Sequence, residues 1–313
     1  MEQEINCLGD VDWDYYHNIM SVAYNGVDVE DRTGVNTVSY FGASSVYSDV
    51  LQDFPLLSVK PVSMKIAVVE LMWFINGGNN VADLLDHKVN IWNEWTPAYK
   101  NGYKGYQKQE AVLRAYEDGR RDLLDLGEVY GTQWGGKAAG GAFTGLLEGI
   151  IKDPYSRRHI VSSWNHEKIP NMALPPCHMM FQVNLQQHLS GTVNLNLAMY
   201  QRSADLMLGV PYNIAEYALL MHLLAWYIRT NSDMDVKPHK LIHNMGDMHI
   251  YNNHAEGLKE VVCRFEKNRG KYRTEPITIQ LNENVNSIFD FTPEDVKVLN
   301  YNPMSKIKFE VAV

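Results

Sequence analysis

Cys177 sits in LPPCH, where two prolines fix the backbone ahead of it, a histidine follows, and arginine-bearing segments lie on either side in sequence. A cysteine becomes a nucleophile when cationic neighbours lower its pKa and it stays partly exposed. Otherwise a lone cysteine is a small buried hydrophobe. Arg32 in EDRTG, Arg157 and Arg158 in DPYSRRHIVSSWN and Arg202 in YQRSAD put four guanidiniums in loop-edge contexts. The planar fork pairs bidentately with phosphate oxygens, so the set is a candidate phosphate cradle. For Arg157 and Arg158 alone, the plainer reading is one salt bridge plus one solvated charge. Glu70 stands inside VSMKIAVVELMWFING. A carboxylate in such an apolar helix either has a partner on a neighbouring element or is a desolvated acid with a raised pKa, suited to proton transfer. Trp92 and Trp95 in IWNEW are core or half-buried surface, with stacking on a flat heterocycle as the alternative. His249 and Tyr251 in GDMHIY alternate and so share a strand face, for site hydrogen bonds or for packing.

The elements that must position these groups are partly legible. Asp12 to Gly26 reads as a helix with Asp12 as N-cap and Tyr16, Ile19, Met20 and Ala23 on one face. Ser63 to Phe74 reads as a mostly buried helix stopped by Gly77-Gly78, and Ala142 to Lys152 as a short helix ending before Pro154. Phe181, Val183 and Leu185 alternate with polar residues, Ser190-Gly191 turns, and Val193, Leu195, Leu197 and Met199 alternate again, which predicts a hairpin with one buried face. This hairpin would bring residues 201–203 back towards 176–178. Asn213 to Thr230 is a long helix, with Ile214, Tyr217, Met221, Leu224 and Ile228 in register. PITIQL and KIKFEVAV read as closing strands, and 100–121 as a polar surface insertion. Without regular βαβ units, the pattern is α/β or α+β around a mixed sheet.

Composition bounds the function. The 313 residues are 45% hydrophobic and 21% charged, enough for a sizeable core. No apolar run approaches the ~20 residues of a membrane helix, and the acidic N-terminus carries no export signal. Three scattered cysteines fit a reducing cytosol and offer neither a disulfide framework nor a zinc site. The net charge of −9 argues against general nucleic-acid or anionic-membrane binding, so an anionic ligand needs a local arginine cluster.

Together DRTG, FPLL followed by Lys60, ELMWFINGGNN, IWNEW, VYGTQW, DPYSRRHIVSSWN, MALPPCH, YQRSADLMLGVPYNIAEYALL, GDMHIYNNH and the terminal FEVAV resemble the thymidylate synthase family, in that family's order and over nearly the whole chain. The resemblance implies a single catalytic domain over 1–313, with a mixed sheet, surrounding helices and a homodimer formed through the sheets. It implies that Cys177 is the nucleophile adding to C6 of dUMP. Arg32, Arg202 and Ser203 would hold the phosphate, joined by Arg157 and Arg158 of the partner subunit. Gln201, Asp205, Asn213, His249 and Tyr251 would fix the nucleoside, with Asn213 donating to O4 and accepting from N3–H of uracil. Glu70 would be the general acid/base, with Tyr130 and His178 in the same polar network. Trp92, Trp95, Leu174, Asp205, Gly209 and Val313 would contact 5,10-methylenetetrahydrofolate, the cosubstrate. Neither a metal nor a nicotinamide is implied.

The chain departs from the family pattern at Asn93, Glu128, Tyr212 and Glu216. The two added acids motivate an alternative product, 5-hydroxymethyl-dUMP, as in phage-type relatives that quench the exocyclic methylene with water. A non-catalytic nucleotide- or RNA-binding relative is the third expectation, opposed by the retained Cys177, Glu70 and Asn213 and by the acidic charge.

Overall fold

The computed structural model describes residues 8–31, 33–137 and 140–312. Through them run α1 (Asp10–Asn25), β1 (Val27–Val29), β2 (Thr37–Tyr47), α2 (Met64–Ile75), α3 (Val81–Asp86), α4 (Pro97–Asn101), α5 (Lys108–Glu117), α6 (Tyr130–Trp134) and α7 (Ala142–Lys152). The chain continues through β3 (Ile160–Ser162), β4 (His178–Gln187), β5 (Val193–Asp205), α8 (Gly209–Asn231), β6 (Val236–Tyr251), α9 (Ala255–Lys267), β7 (Thr278–Leu281) and β8 (Val296–Leu299). Six strands form one mixed sheet in the order β1-β2-β6-β5-β4-β3. The expected hairpin is β4 and β5, antiparallel, with Phe181, Val183, Leu185 and their partners buried on one face.

Strands β5 and β6 pair in parallel, so a crossover must join them, and α8 supplies it. The chain therefore holds one βαβ unit that strand and helix patterning had not revealed. Helix α8 is apolar nearly all round, and it is buried accordingly against the sheet and α2. Helix α2 begins after Ser63 and is stopped by Gly77, whose φ of 82° suits glycine. A side chain at Gly78 would collide with the Trp73 ring, so glycine there lets the exit fold back on the helix.

Helix α1 begins at Asp10, and Asp12 is not its N-cap. Its buried carboxylate accepts from Gly9 N at 2.9 Å, Ser58 N at 2.7 Å and Val59 N at 2.9 Å, tying the helix to the 58–59 segment. That anchor turns Val11, Tyr15, Ile19 and Val22 inward; of the expected face, Ile19 is buried and Tyr16 and Met20 pack partly buried against the core, while Ala23 is exposed. The C-terminal expectation also fails in one respect. Ile307 and Phe309 alternate with exposed neighbours as a strand would, yet residues 301–312 pair with no strand. Helix α9 and the 57–62 segment hold them instead: Tyr301 Oη donates to Leu57 O at 2.8 Å, Arg264 Nη1 donates to Ser305 O at 2.7 Å, and His254 Nε2 bonds Glu310 O at 2.7 Å. With those carbonyls bound by side chains, alternation survives without a sheet.

Candidate active site

The open end of the β4–β5 hairpin brings the nucleophile and one arginine together. Arg202 N donates to Cys177 O at 2.8 Å, its Nε to Pro176 O at 2.9 Å and its Nη2 to Pro175 O at 2.8 Å. The guanidinium also lies 5.6 Å from the Trp164 ring centroid. Cys177 is half-buried. Its backbone N–H donates to Tyr130 Oη, while the Tyr130 and Ser203 hydroxyls favour its sulfur as thiolate. Burial nevertheless outweighs the Arg202 charge and these hydrogen bonds, and pushes the thiol above the usual cysteine range. The cationic neighbour is present, as its position in sequence suggested, but it does not produce a low resting pKa.

His178 turns away from solvent. Its ring stacks on Tyr130 at 4.2 Å, its Nδ1 bonds Tyr217 Oη at 2.9 Å, and burial lowers its pKa to about 3. It is a neutral spacer behind Cys177, with Tyr130 as the link between them.

The next layer has a fixed hydrogen-bond polarity. Gln201 Nε2 donates to Ser203 O at 3.0 Å, and a carbonyl only accepts, so the amide cannot be flipped. Its Oε1 therefore accepts from Nε2 of His243 at 2.8 Å, a ring kept neutral by burial. The second Nε2 hydrogen of Gln201 goes to Asn213 Oδ1 at 3.0 Å. Asn213 must then present its NH₂ on the opposite side, towards α2. Glu70 lies there, buried, accepting from Trp92 Nε1 at 2.6 Å, and burial raises its pKa while Glu216 and Trp92 hydrogen bonds oppose the rise. The partner expected for a carboxylate in this helix is thus an indole N–H, and the raised pKa is present as well.

Asp205 closes the turn from β5 into α8, accepting from Met207 N at 2.9 Å and Leu208 N at 3.2 Å, and α8 opens at Gly209. His249 and Tyr251 share a face of β6, their rings 5.2 Å apart. Burial opposes charging of His249, but a 2.8 Å bond to Asp247 and the Asp205 charge outweigh it and lift its pKa. Trp92 is buried and Trp95 half-buried, 5.3 Å from it; Leu174 and Tyr212 are also half-buried.

Arg157 and Arg158 are not in this cluster. Both are exposed in the turn before β3, two strands from Arg202, and among the described residues neither meets a carboxylate. Arg32 and Val313 lie outside the described residues. Glu128 pairs with Lys168 at 3.0 Å and accepts from Asn171 at 3.0 Å. A cavity of about 330 Å³ lies against Val68, Met72 and Trp73 of α2, and Cys177 does not line it. Among the described residues no group of three or more His, Cys, Asp or Glu is placed to hold a metal ion.

Sequence patterning assigned no role to Lys60, which is buried, 5.3 Å from the Phe309 ring centroid, and lowered to about 8 by burial despite the Asp205 charge. The signal was a single lysine directly after the apolar FPLLSV run, the mirror of the Glu70 argument.

The family model described as thymidylate synthase matches residues 13–313. A thymidylate synthase of Malacoplasma penetrans is 40% identical over 310 residues, covering 96% of this chain and 99% of its own. One from Mesoplasma florum is 39% identical, covering 96% and 99%, and one from Listeria monocytogenes 38%, covering 93% and 97%. Matches of this extent take in every element that carries Cys177, Glu70, Asn213 and Arg202, and the chain belongs to the thymidylate synthase family.

Proposed function

We propose that the protein converts dUMP to dTMP with 5,10-methylenetetrahydrofolate, through a covalent bond from Cys177. The observation that carries this reading is the polarity of the Asn213 amide. Gln201 fixes its oxygen on one side and its NH₂ on the other, the arrangement that meets N3–H and O4 of uracil together. Glu70 stands beyond the NH₂ side, where a proton can be exchanged at O4. As the Cys177 thiolate bonds to C6, the C5–C6 π pair moves towards C5 and O4, and C5 becomes the nucleophile. The Arg202 charge and the Tyr130 and Ser203 hydroxyls favour the thiolate and offset part of its burial. The folate, when bound, supplies the one-carbon unit and the hydride and leaves as dihydrofolate, while the C5 proton passes to a base and the Cys177–C6 bond breaks to return the thiolate. Trp92, Trp95, Leu174, Gly209 and Asp205 suit a flat heterocycle: ring surfaces, a fixed indole, and a buried Trp95 N–H that finds no protein acceptor among the described residues.

Residues 1–313 act in this reading as one catalytic unit. The 100–121 insertion braces the tryptophan turn, since α5 buries Ala111, Val112 and Ala115, and Asn93 donates to Gln109 at 3.0 Å. The outer face of the sheet supports a homodimer. Val46, Ile242, Ala198, Gln182 and Ile160 form a cross-strand row there, apolar but for Gln182, with Val46 and Ile160 exposed. A second copy packed on that face would carry its Arg157 and Arg158 towards the Arg202 phosphate site. Mixing Cys177→Ser chains with Arg158→Ala chains should then restore activity, because each hybrid retains one intact site; no recovery despite measured subunit exchange would mean that the arginines act within their own chain or not at all. The cytoplasm, where thiols stay reduced, is the expected compartment. No helix among the described residues is long and apolar enough to cross a membrane.

The hydroxymethyl alternative loses one of its two motivating acids, since Glu128 is committed to Lys168 and Asn171. The folate product separates the two chemistries. Reductive methylation yields one dihydrofolate per nucleotide converted; tetrahydrofolate as the product would overturn the methyl assignment.

A further inference from the structure

Glu216 lies on α8, is 1% exposed, and is absent from the roles assigned above. Its Oε2 receives a long contact from Asn213 Nδ2 at 3.5 Å, and among the described residues no donor reaches its buried Oε1. The groups facing it are Glu70 from α2 and Tyr212, Asn213 and Tyr217 from its own helix, with Trp92 on the far side of Glu70. None of them is a cation. Two carboxylates in contact inside a protein, with no positive charge beside them, cannot both ionise at ordinary cost, so the pair holds a proton.

The surrounding hydrogen bonds decide where that proton sits. Ser203 O orients Gln201, Gln201 orients Asn213, and Asn213 turns an N–H onto Glu216 Oε2, which therefore accepts. This leaves Oε1 as the oxygen to carry a hydrogen and Glu70 as its acceptor. Glu70 already receives the Trp92 N–H at 2.6 Å, and a second donor favours it further as the ionised member. Donors thus run in one direction, from His243 through Gln201, Asn213 and Glu216 to Glu70.

We propose that Glu216 is a positioning residue for the reaction: its protonated carboxyl donates to Glu70, keeping it an ionised base, and accepts from Asn213, bracing the amide that reads uracil. The proposal rests on the dUMP reading given above. Burial raises the pKa of both carboxyls, and that of Glu216 well above the ordinary range, with the Glu70 charge adding to the effect.

The test uses Glu216→Gln and Glu216→Leu. Glutamine reproduces one donor and one acceptor without charge, so Glu216→Gln should keep kcat/KM for dUMP within about threefold of wild type and leave its acid limb in place. Leucine fills the volume but donates nothing. Glu216→Leu should lose about thirtyfold or more in kcat, and its acid limb should move to higher pH, because the ionised form of Glu70 has lost a donor. If Glu216 were instead a charge, both variants would remove a repulsion and move the limb to lower pH, which would overturn the proposal. A leucine variant with unchanged kcat and limb would overturn it equally, by making Glu216 mere filler. An infrared difference spectrum of wild type minus Glu216→Gln at pH 7 needs neither turnover nor the leucine variant. A protonated-carboxyl band in wild type supports the proposal, and its absence refutes it, whatever becomes of the dUMP reading.

Discussion

Cys177→Ser is expected to remove turnover by more than about a thousandfold while dUMP binding stays within a few-fold of wild type. The split follows from the geometry. The phosphate-binding candidate Arg202 is held by the carbonyls of Pro175 and Pro176 and by the Cys177 backbone, none of which changes when sulfur becomes oxygen. The serine hydroxyl does not ionise near neutrality, and the burial that already raises the thiol pKa would raise it further. Titration calorimetry with dUMP and a steady-state assay on the same preparation read the two halves separately. Retention of more than about a thousandth of wild-type turnover would contradict covalent catalysis by this residue.

Asn213→Asp is expected to exchange the base that is read. The variant removes the N–H aimed at O4 and puts a carboxyl group beside Glu216 and Glu70, where a further negative charge is disfavoured. The new carboxyl should therefore be protonated, able to donate to N3 of cytosine and accept from its exocyclic amine. Activity on dUMP should fall and turnover of dCMP should appear, a shift in relative specificity of about 2–4 kcal/mol, on the order of a hundredfold. Competition between the two nucleotides measures the ratio directly. Wild-type protein that turned over both equally would remove the uracil assignment, and an unchanged preference in the variant would mean that the base is read elsewhere.

Much of the frame is legible in the residues because local pattern and tertiary demand agree there. The β4–β5 hairpin and helices α2, α7 and α8 announce themselves through alternation, caps and stops that the folded chain honours. The discrepancies come from long-range partners. Asp12 looks like a cap because aspartate usually is one; its actual partners include amides of residues 58 and 59, which no local window contains. The terminal segment alternates like a strand but is held by side chains of Arg264 and His254 and by the Tyr301 hydroxyl on Leu57 O, none of which a local window shows. At the site, the apolar run around Glu70 marks it at once, and Cys177 and Arg202 meet because a hairpin must return. Glu216 is harder to interpret. Its i,i+3 spacing from Asn213 puts both on one helical face, but only the packing of α8 on α2 sets it against Glu70.

The mass of the nucleotide formed from dUMP and 5,10-methylenetetrahydrofolate tests the central claim most directly, because the uracil reading and one-carbon transfer from Cys177 must both succeed for it to change. The account predicts dUMP plus one methyl group in place of a hydrogen, formed by wild type and absent from Cys177→Ser. A hydroxymethyl product, or dUMP recovered unchanged from protein that binds it, would contradict the account.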